Sequence, residues 1–304
     1  MERKILNSQS EIRLDKFLSN TEKDISRTQI QKLILNGCIK VDDYIVKPSF
    51  QLKGSEIITV DFNAKNSNFN TENILGKENI PLDIIYEDDS IIAINKSAGL
   101  VVHPRAGNQQ GTMLNGLLYH FSKLSNLDMN RPGIVHRLDQ YTSGVIIVAK
   151  TNQAHYYLSE QFANRKIKKK YRAIVWGRVK SDGCVEGFIN RNIRNRISFQ
   201  MATKGKYSKS SYKLIKNYKI LSYLDIRPLT GRTHQIRVHM KSIGHPILLD
   251  DLYSGGIKNI YSFHEKYFKL GKQIVKEMNR FALHAYEISF LHPENKQKMT
   301  LNAP

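Results

Sequence analysis

The chain has 304 residues, 40% of them hydrophobic and 24% charged, which is typical of a folded protein with a full core and excludes a disordered chain. Its formal net charge of +20 indicates a polyanionic partner, either nucleic acid or an anionic membrane surface. No run of residues is apolar and long enough for a membrane span or a signal-peptide core, so we expect nucleic acid rather than a membrane.

The two cysteines, Cys38 and Cys184, are far apart and have no Cys-x-x-Cys spacing. Such a pair indicates neither a disulfide scaffold nor a thiolate zinc site. We therefore expect a cytoplasmic protein.

The N-terminal region predicts a small α+β module. Residues 1–10 are polar and are expected to fray, whereas apolar residues at helical spacing predict helices near residues 14–18 and 26–36. A hairpin is expected from residues 39–41 and 45–46 around Asp42-Asp43, and a last strand from residues 56–60. The Asn-, Ser- and Lys-rich residues 63–79 are typical of a linker.

The larger second region, residues 80–304, alternates strand and helix patterns. Strands are predicted at residues 83–87, 90–96, 145–149, 171–175, 212–218, 220–228 and 282–288, and helices at residues 112–121 and 152–164. This order of elements predicts an α+β domain.

A polar loop with one carboxylate precedes the apolar strand at residues 145–149. Residues 133–144 read Gly-Ile-Val-His-Arg-Leu-Asp-Gln-Tyr-Thr-Ser-Gly, so His136 and Arg137 are close to Asp139 along the chain. From these residues alone, Asp139 is either a turn residue paired with Arg137 at the surface or a catalytic carboxylate.

Two further stretches combine cations with polar or aromatic residues. Residues 165–172 hold a cluster of Lys and Arg around Tyr171. This cluster suits either phosphate contacts or a solvated helix end. Residues 230–239 form a polar, cationic turn into a predicted helix and suit an anion or a carboxylate. A metal site at His234 and His239 is the rival there, but residues five apart do not share a helix face, and we expect no metal.

Together these stretches resemble the motifs of the RluA-type pseudouridine synthases. The matching segments are His-Arg-Leu-Asp-x-x-Thr-Ser-Gly, Lys-x-Tyr-x-Ala, Gly-Arg-Thr-His-Gln-Ile-Arg-Val-His and a closing Leu-His-Ala. Residues 12–62 resemble the S4 RNA-binding module found in some members. The resemblance extends from Ile12 to Pro293, except for the linker and an insert at residues 253–279. The family's Asp-x-x-Tyr-Gly-Gly is replaced at residues 251–256 by Asp-Leu-Tyr-Ser-Gly-Gly.

The resemblance implies a fold, a set of site residues and no cofactor. We expect the S4-like domain to be followed by a catalytic domain with a mixed, largely antiparallel sheet flanked by helices. Asp139 would be the catalytic carboxylate, Arg237 its ionic partner, Tyr171 the residue that stacks on the uracil, and Leu283 an apolar neighbour of the base. The other expected RNA contacts are His136, Arg137, Arg232, Lys168, Lys169, Lys170, Arg13, Arg27 and Lys32.

The implied activity is the isomerisation of uridine to pseudouridine in RNA. An S4 module joined to this catalytic domain most resembles the members that modify large-subunit ribosomal RNA, at helix 69. We expect a monomer that acts on this RNA or on a pre-ribosomal particle. The alternatives are a synthase for transfer RNA, and a non-catalytic RNA-binding or ribosome-assembly protein. A nuclease would need paired carboxylates around a metal or a histidine acid/base pair.

Overall fold

The computed structural model describes residues 3–7, 11–22, 27–35, 37–61, 76–104, 110–128, 130–278 and 280–304. Contacts divide the chain into two compact units, residues 1–71 and 72–304, each with its own hydrophobic core. Most of the predicted linker, residues 63–75, lies outside the described residues, so the linker and its boundaries stay a prediction.

The first unit packs two short helices against a small sheet. Its elements are β1 (Arg3–Asn7), β2 (Ile12–Arg13), α1 (Leu14–Thr21), α2 (Arg27–Leu35), β3 (Ile39–Val41), β4 (Gln51–Leu52) and β5 (Ile57–Asp61). The sheet order is β1-β5-β3, and β2 pairs with β4. Leu14 and Leu18 of α1 and Ile30 and Ile34 of α2 are buried in one cluster with Ile58, because residues three or four apart share a helix face.

Two predictions for this unit were wrong. The N-terminus does not fray from the start: Arg3–Asn7 pairs antiparallel with Ile57–Asp61, whose second edge would otherwise lack partners. Residues 45–46 form no strand, since only Tyr44 bridges back to Val41 after the turn. β3 pairs with β5 along one edge, and on its other edge the described residues make only the Val41–Tyr44 bridge, so Ile45 is exposed.

The second unit contains fourteen described helices and strands apart from short 3₁₀ turns. They are β6 (Ile84–Glu87), β7 (Ile91–Lys96), α3 (Met113–His120), β8 (Ser143–Ala149), α4 (Asn152–Ala163), β9 (Lys168–Trp176), β10 (Gly183–Arg191), β11 (Phe199–Ala202), β12 (Lys206–Asn217), β13 (Leu221–Pro228), α5 (Gln235–Ser242), α6 (Phe268–Glu277), β14 (Leu283–Leu291) and β15 (Lys298–Asn302). The insert at residues 253–279 thus contains α6.

Ten strands of this unit form one mixed sheet. The order is β11-β10-β12-β13-β9-β14-β8-β7-β6, with β15 added to β14. Among the described strand pairs of this sheet only β8 and β14 run parallel, and they meet at Gly144, where a Cβ would lie 2.2 Å from the carbonyl oxygen of Ala285. The positive φ of 110° at Gly144 also excludes most side chains. The predicted fold class, a largely antiparallel mixed sheet flanked by helices, is confirmed.

Helices cover parts of both faces of the sheet. All residues of β8 are buried, with Ile146 and Val148 packed toward α3 and Val145 and Ile147 toward α4. Further along the sheet, Ile236 and Met240 of α5 pack on residues of β9 and β13. The loop before β8, the strand β9 and the start of α5 thereby border one cavity.

Candidate active site

Asp139 lies in the loop before β8, and the backbone of this loop is hydrogen-bonded to a buried lysine. The Nζ atom of Lys96 donates to the carbonyl oxygens of Ser97, Leu100 and Gln140 at 2.7, 2.8 and 2.9 Å. Burial lowers the pKa of Lys96 to about 8, and the charge of Asp139 opposes that shift. Three strong bonds to one ammonium therefore hold the backbone next to Asp139.

Arg237, on the first turns of α5, binds two carboxylates. Its Nε and Nη2 donate to Asp250 at 2.7 and 2.8 Å, and its Nη1 donates to Asp139 Oδ2 at 3.1 Å. We call these three residues the Arg237 clamp. Burial alone would lower the pKa of Arg237, but the bonds and negative charges of Asp250 and Asp139 raise it. The side chain is thus a fixed cation that orients Asp139.

Aromatic rings hold the guanidinium of Arg237 in place. Its Cζ lies 4.7 Å from the ring centre of Tyr253 and 4.6 Å from that of Phe281. Tyr253 also contacts His234, whose Nδ1 lies 2.7 Å from the Tyr253 hydroxyl, and His234 Nε2 lies 3.9 Å from Asp139 Oδ1. Among the described residues the ion pair of Asp139 is therefore with Arg237, and its second polar neighbour is His234; the surface-turn alternative expected Arg137 instead.

Tyr171 and Leu283 form the apolar wall of the cavity. Tyr171 is on β9 and pairs with Ala285 of β14. Leu283 is two residues before Ala285, pairs with Ala173 of β9 and lies on the same face of the sheet as Tyr171. Burial, followed by the negative charge of Asp139, raises the pKa of Tyr171, so its phenol keeps its proton at neutral pH. The structure therefore presents a protonated phenol beside a carboxylate.

His136 is built into the wall of the same cavity. Its Nε2 accepts the backbone N–H of Ile147 at 2.9 Å, and its ring packs on Phe162 at 4.6 Å between centres. Burial, with a smaller effect from the charge of Lys169, lowers the pKa of His136 to about 3. The ring is consequently neutral and bonded to the sheet.

The three lysines of β9 point in different directions because successive side chains in a strand alternate between faces. Lys169 shares the face of Tyr171 and lines the cavity, and burial lowers its pKa. Lys170, on the opposite face, pairs with Glu287 at 2.7 Å, and Lys168 is exposed at the start of the strand. Of the three, only Lys169 reaches the cavity.

The cavity has a volume of about 310 Å³, near the lower end of the range for small-molecule sites. The exposed Arg137 lies on its rim, and Arg232 lines it while donating from Nε to the carbonyl oxygen of Tyr207 at 3.0 Å. Eight of the thirteen expected site residues border this cavity, namely Asp139, Tyr171, Arg237, His136, Arg137, Leu283, Arg232 and Lys169. The chain thus brings together residues from four segments that are distant in sequence.

Three expected RNA contacts belong to the first unit. Arg13 and Arg27 both donate to the buried Asp15, with shortest distances of 3.0 and 2.9 Å, and both side chains remain partly exposed. The side chain of Lys32 lies outside the described part of α2. Each arginine therefore binds Asp15 with part of its guanidinium group and leaves the rest of the side chain accessible to solvent.

Four residues of this site were not predicted from the sequence: Lys96, His234, Asp250 and Tyr253. For two of them a signal existed. If the family's Asp-x-x-Tyr is aligned with Asp250 instead of Asp251, it matches residues 250–253. Asp250 and Tyr253 are the two residues of this motif that hold Arg237. Lys96 is the last residue of the strand predicted at residues 90–96, but nothing local shows that its ammonium is buried.

The rival metal site is not formed. His239 is fully buried with its Nε2 2.9 Å from Ser208 Oγ, whereas His234 faces Asp139. Burial lowers the pKa of His239 to about 4, so its ring is neutral. Across the described ranges no group of three His, Cys, Asp or Glu side chains is placed to hold a metal ion.

Comparison with protein families matches residues 90–242 to the RNA pseudouridylate synthase family and residues 12–58 to the S4 domain. The chain belongs to the RNA pseudouridylate synthase family. It is an RNA pseudouridine synthase, an isomerase, preceded by an S4 RNA-binding domain. The family model includes the loop of Asp139, the strand of Tyr171 and the helix of Arg237.

Curated relatives match nearly the whole chain. The ribosomal large subunit pseudouridine synthase D of Neisseria meningitidis serogroup B is 40% identical over 294 residues, which are 96% of this chain and 75% of that protein. The enzyme of the same name from Zymomonas mobilis is 38% identical over 96% of this chain and 89% of that protein. An uncharacterised RNA pseudouridine synthase of Aquifex aeolicus is 41% identical over 95% and 89% of the two chains.

A solved structure has the same fold at low sequence identity. Human RNA pseudouridylate synthase domain containing 1 aligns with a TM-score of 0.56 at 23% identity, over 74% of this chain and 83% of that one. In the parts of the chain that the structure describes, no helix has both the length and the apolar character needed to cross a bilayer.

Proposed function

We propose that this pseudouridine synthase modifies uridines of large-subunit ribosomal RNA, at helix 69, with Asp139 as the catalytic carboxylate. The observation that carries the proposal is the position of Asp139. Its Oδ2 is bound by Arg237, and its Oδ1 accepts no recorded hydrogen bond from the described residues and borders a cavity sized for one base and its sugar. A carboxylate with one bound and one open oxygen suits attack on a sugar.

The first step breaks the bond between C1′ of the ribose and N1 of the uracil. Either Asp139 attacks C1′ while the bonding electron pair leaves on N1, or Asp139 takes the C2′ proton and a glycal forms as the uracil departs. In both pathways a negative charge moves from Asp139 to the detached base. Arg237, a permanent cation held on its far side by Asp250, orients the carboxylate for this step.

The second part of the reaction turns the uracil and joins C5 to C1′. In the first pathway the ester bond between Asp139 and C1′ breaks as this bond forms, and in the glycal pathway Asp139 returns its proton to C2′. Tyr171 supplies a ring on which the detached base stacks, and its phenol proton can be donated to a uracil oxygen. Leu283 and its apolar neighbours exclude water, so that the base is recaptured instead of lost. The C5 proton then leaves to a base, either the phenol oxygen of Tyr171, directly or through water, or the carboxylate of Asp139.

The target uridine must leave its stack to enter this cavity, at a cost of about a few kcal/mol. Arg137, exposed on the rim, is placed to occupy the space that the nucleotide leaves. Lys169 and Arg232 supply positive charge inside the cavity for the phosphates on either side. The partly exposed Arg13 and Arg27 of the S4 domain add contacts to the RNA backbone.

The choice of RNA rests on the relatives. Two proteins that match 96% of this chain are named ribosomal large subunit pseudouridine synthase D, and the present chain has the S4 domain as well as the catalytic domain. Phosphate contacts carry little sequence information, so the choice of uridine depends on RNA shape and loop contacts.

The test is tritium release from C5-tritiated uridine in large-subunit ribosomal RNA, with wild-type protein and Asp139→Asn. We expect release by the wild type and none by the variant, with equal RNA binding by both. Tritiated transfer RNA is the control substrate. Release from transfer RNA alone would overturn the ribosomal target, and binding without release from either RNA would favour the non-catalytic alternative. Sequencing of the modified ribosomal RNA then tests helix 69.

A further inference from the structure

A chain of polar contacts leads from strand β11 to Asp139. The backbone N–H of Phe199, the first residue of β11, donates to the Tyr253 hydroxyl oxygen at 2.9 Å. The same hydroxyl lies 2.7 Å from His234 Nδ1. A backbone N–H can only donate, so the Tyr253 oxygen accepts from Phe199 and its own proton is available for Nδ1.

This arrangement favours the tautomer of His234 in which Nδ1 accepts the Tyr253 hydroxyl proton. With Nδ1 accepting from Tyr253, a neutral ring has its proton on Nε2. Burial is the largest influence on His234 and, despite the opposing charges of Asp139 and Asp250, its pKa is lowered, which favours the neutral ring. The Nε2–H therefore faces Asp139 Oδ1, at a distance of 3.9 Å.

We propose that His234 is a positioning residue for Asp139: its Nε2–H closes onto Oδ1 when RNA enters the cavity, and the Tyr253 hydroxyl keeps the ring in the tautomer that makes this bond. The distance of 3.9 Å is too long for a hydrogen bond without RNA. Contacts of this kind often tighten only in the complex with substrate. This inference rests on the proposed role of Asp139.

The backbone of His234 supports a role that requires a fixed ring. His234 has φ 55° and ψ 20°, a left-handed conformation that residues other than glycine seldom adopt outside functional or strained positions. The ring is nevertheless held on two sides, at 5.6 Å between ring centres from both Phe199 and Tyr253. The surroundings thus limit the ring of His234 to small movements beside Asp139 and favour one tautomer.

The consequence concerns the two oxygens of Asp139. Oδ2 is held by Arg237, and with the Nε2–H of His234 on one lone pair of Oδ1 the carboxylate can no longer rotate about its Cβ–Cγ bond, while the other lone pair of Oδ1 stays open to the sugar. An unconstrained carboxylate presents its reacting lone pair to the sugar only part of the time. We therefore expect loss of the Nε2–H to slow the chemical step and to leave RNA affinity unchanged.

The first experiment compares His234→Gln with His234→Asn under single-turnover conditions on the RNA used for the wild type. The glutamine amide nitrogen can take the place of Nε2–H, whereas the asparagine amide reaches only the Nδ1 position. Asparagine tolerates the left-handed backbone better than glutamine, so backbone strain alone predicts the opposite order. We expect His234→Gln to react within about threefold of the wild type and His234→Asn about tenfold more slowly, the effect of one hydrogen bond.

The second experiment is a double-mutant cycle with Tyr253→Phe, which keeps the ring beside Arg237 and removes only the hydroxyl. We expect this change to slow the wild type about tenfold and to have no further effect in His234→Gln, which has no Nδ1 to orient. A purely structural role of the Tyr253 hydroxyl, as acceptor for Phe199, predicts the same loss in both backgrounds. That result, or a faster His234→Asn than His234→Gln, overturns the inference.

A measurement without RNA separates this inference from the proposed function. The ¹⁵N shifts of labelled histidine rings, with His234 assigned by its absence in His234→Gln, report the tautomer directly. We expect the Nε2–H tautomer in the wild type and a mixture in Tyr253→Phe. An Nδ1–H tautomer in the wild type overturns the inference whatever the activity. Inactivity of the wild type on every RNA, by contrast, counts against the proposed function alone.

Discussion

Each unit of the molecule has a cluster of arginine and aspartate built around a buried side chain, and these two clusters are opposite in arrangement. In the first unit the Asp15 cluster surrounds one carboxylate with Arg13, Arg27 and Gln31, whose Nε2 lies 2.6 Å from Asp15 Oδ2. In the second unit the Arg237 clamp places one arginine between Asp139 and Asp250. One cluster is cationic in sum and the other anionic.

The two clusters also differ in which side chain is exposed to solvent. In the Asp15 cluster the carboxylate is 0% exposed, and the side chains of Arg13 and Arg27 are 43% and 49% exposed. In the Arg237 clamp Arg237 and Asp250 are 7% and 1% exposed, and Asp139 is 21% exposed. The same two residue types thus present cations to solvent in one unit and a carboxylate in the other.

This difference indicates what each cluster can bind. A buried carboxylate that holds two arginines fixes their orientation and leaves their outer N–H groups for phosphates. In the Arg237 clamp the buried arginine is already bound to carboxylates, so it does not bind phosphate as a free arginine would. One oxygen of the held carboxylate is left for a neutral sugar. The buried partner, Asp15 or Arg237, therefore positions the group that meets the RNA.

The largest expected effect comes from the centre of the clamp. Arg237→Met should slow the single-turnover reaction by about 10²- to 10³-fold, because Asp139 loses its orienting cation. It should also lower the free energy of unfolding by about 3–5 kcal/mol, since Asp250 stays buried without its partner. Urea denaturation measures the second effect. Arg237→Lys, which keeps the charge but not the fork of donors, should be intermediate in both. Activity of Arg237→Met within tenfold of the wild type would contradict the clamp's role.

A smaller effect is expected opposite Asp139. Tyr171→Phe should slow product formation about tenfold, because stacking is kept and a phenol whose pKa is raised is a poor base at neutral pH. Loss of a general base would instead cost about 10²- to 10⁴-fold. Tyr171→Leu, which also loses the aromatic face, is the comparison variant and should be slower than Tyr171→Phe. A loss above 10²-fold in Tyr171→Phe would assign C5 deprotonation to the hydroxyl.

The arginines of the Asp15 cluster should affect binding and not the chemical step. Arg13→Gln or Arg27→Gln, tested singly so that Asp15 keeps one arginine, should reduce the slope of log affinity against log salt by roughly one. The single-turnover rate at saturating protein should not change. Arg131→Gln is the matched control, because Arg131 is 48% exposed and paired with Asp128 in the second unit. An equal change of slope in Arg131→Gln would show that the effect is one of net charge.

The smallest effect concerns acid stability. Burial opposes the charge of Asp15, but the bonds from Arg13, Gln31 and Arg27 lower its pKa to about 2, below its usual value of 3.8. The resulting stabilisation is full above pH 4 and is lost as the pH falls toward 2, because the carboxyl is protonated first in the unfolded chain. Solvent screening of the half-exposed arginines limits it to about 1 kcal/mol. Thermal melting at pH 4 and pH 2 should show this loss in the wild type and not in Asp15→Asn; an equal loss in both would contradict the assignment.

Part of the site could be predicted because its residues stand within short motifs. Asp139, Tyr171 and Arg237 were each singled out from a local stretch that resembles a family pattern, and the strands and helices around them followed from periodicity. Asp250 and Lys96 were not found. Their roles depend on partners distant in sequence, such as Gln140, which is 44 positions from Lys96, and no local pattern shows that an ammonium is buried.

The sequence by itself determined the family, the order of the elements and the three motifs of the site, because side-chain periodicity and motif spacing are local properties. The tertiary structure decided which of these residues meet. Asp139 and Arg237 are 98 positions apart and become partners only because β8, β9 and α5 border one cavity. It likewise decided that Arg3–Asn7 is a strand, because this segment pairs with the second edge of β5, and that residues 45–46 are not, because pairing with β3 ends at the Val41–Tyr44 bridge. Edge pairing, burial and ion-pair geometry depend on the whole fold, which is why no local stretch predicts them.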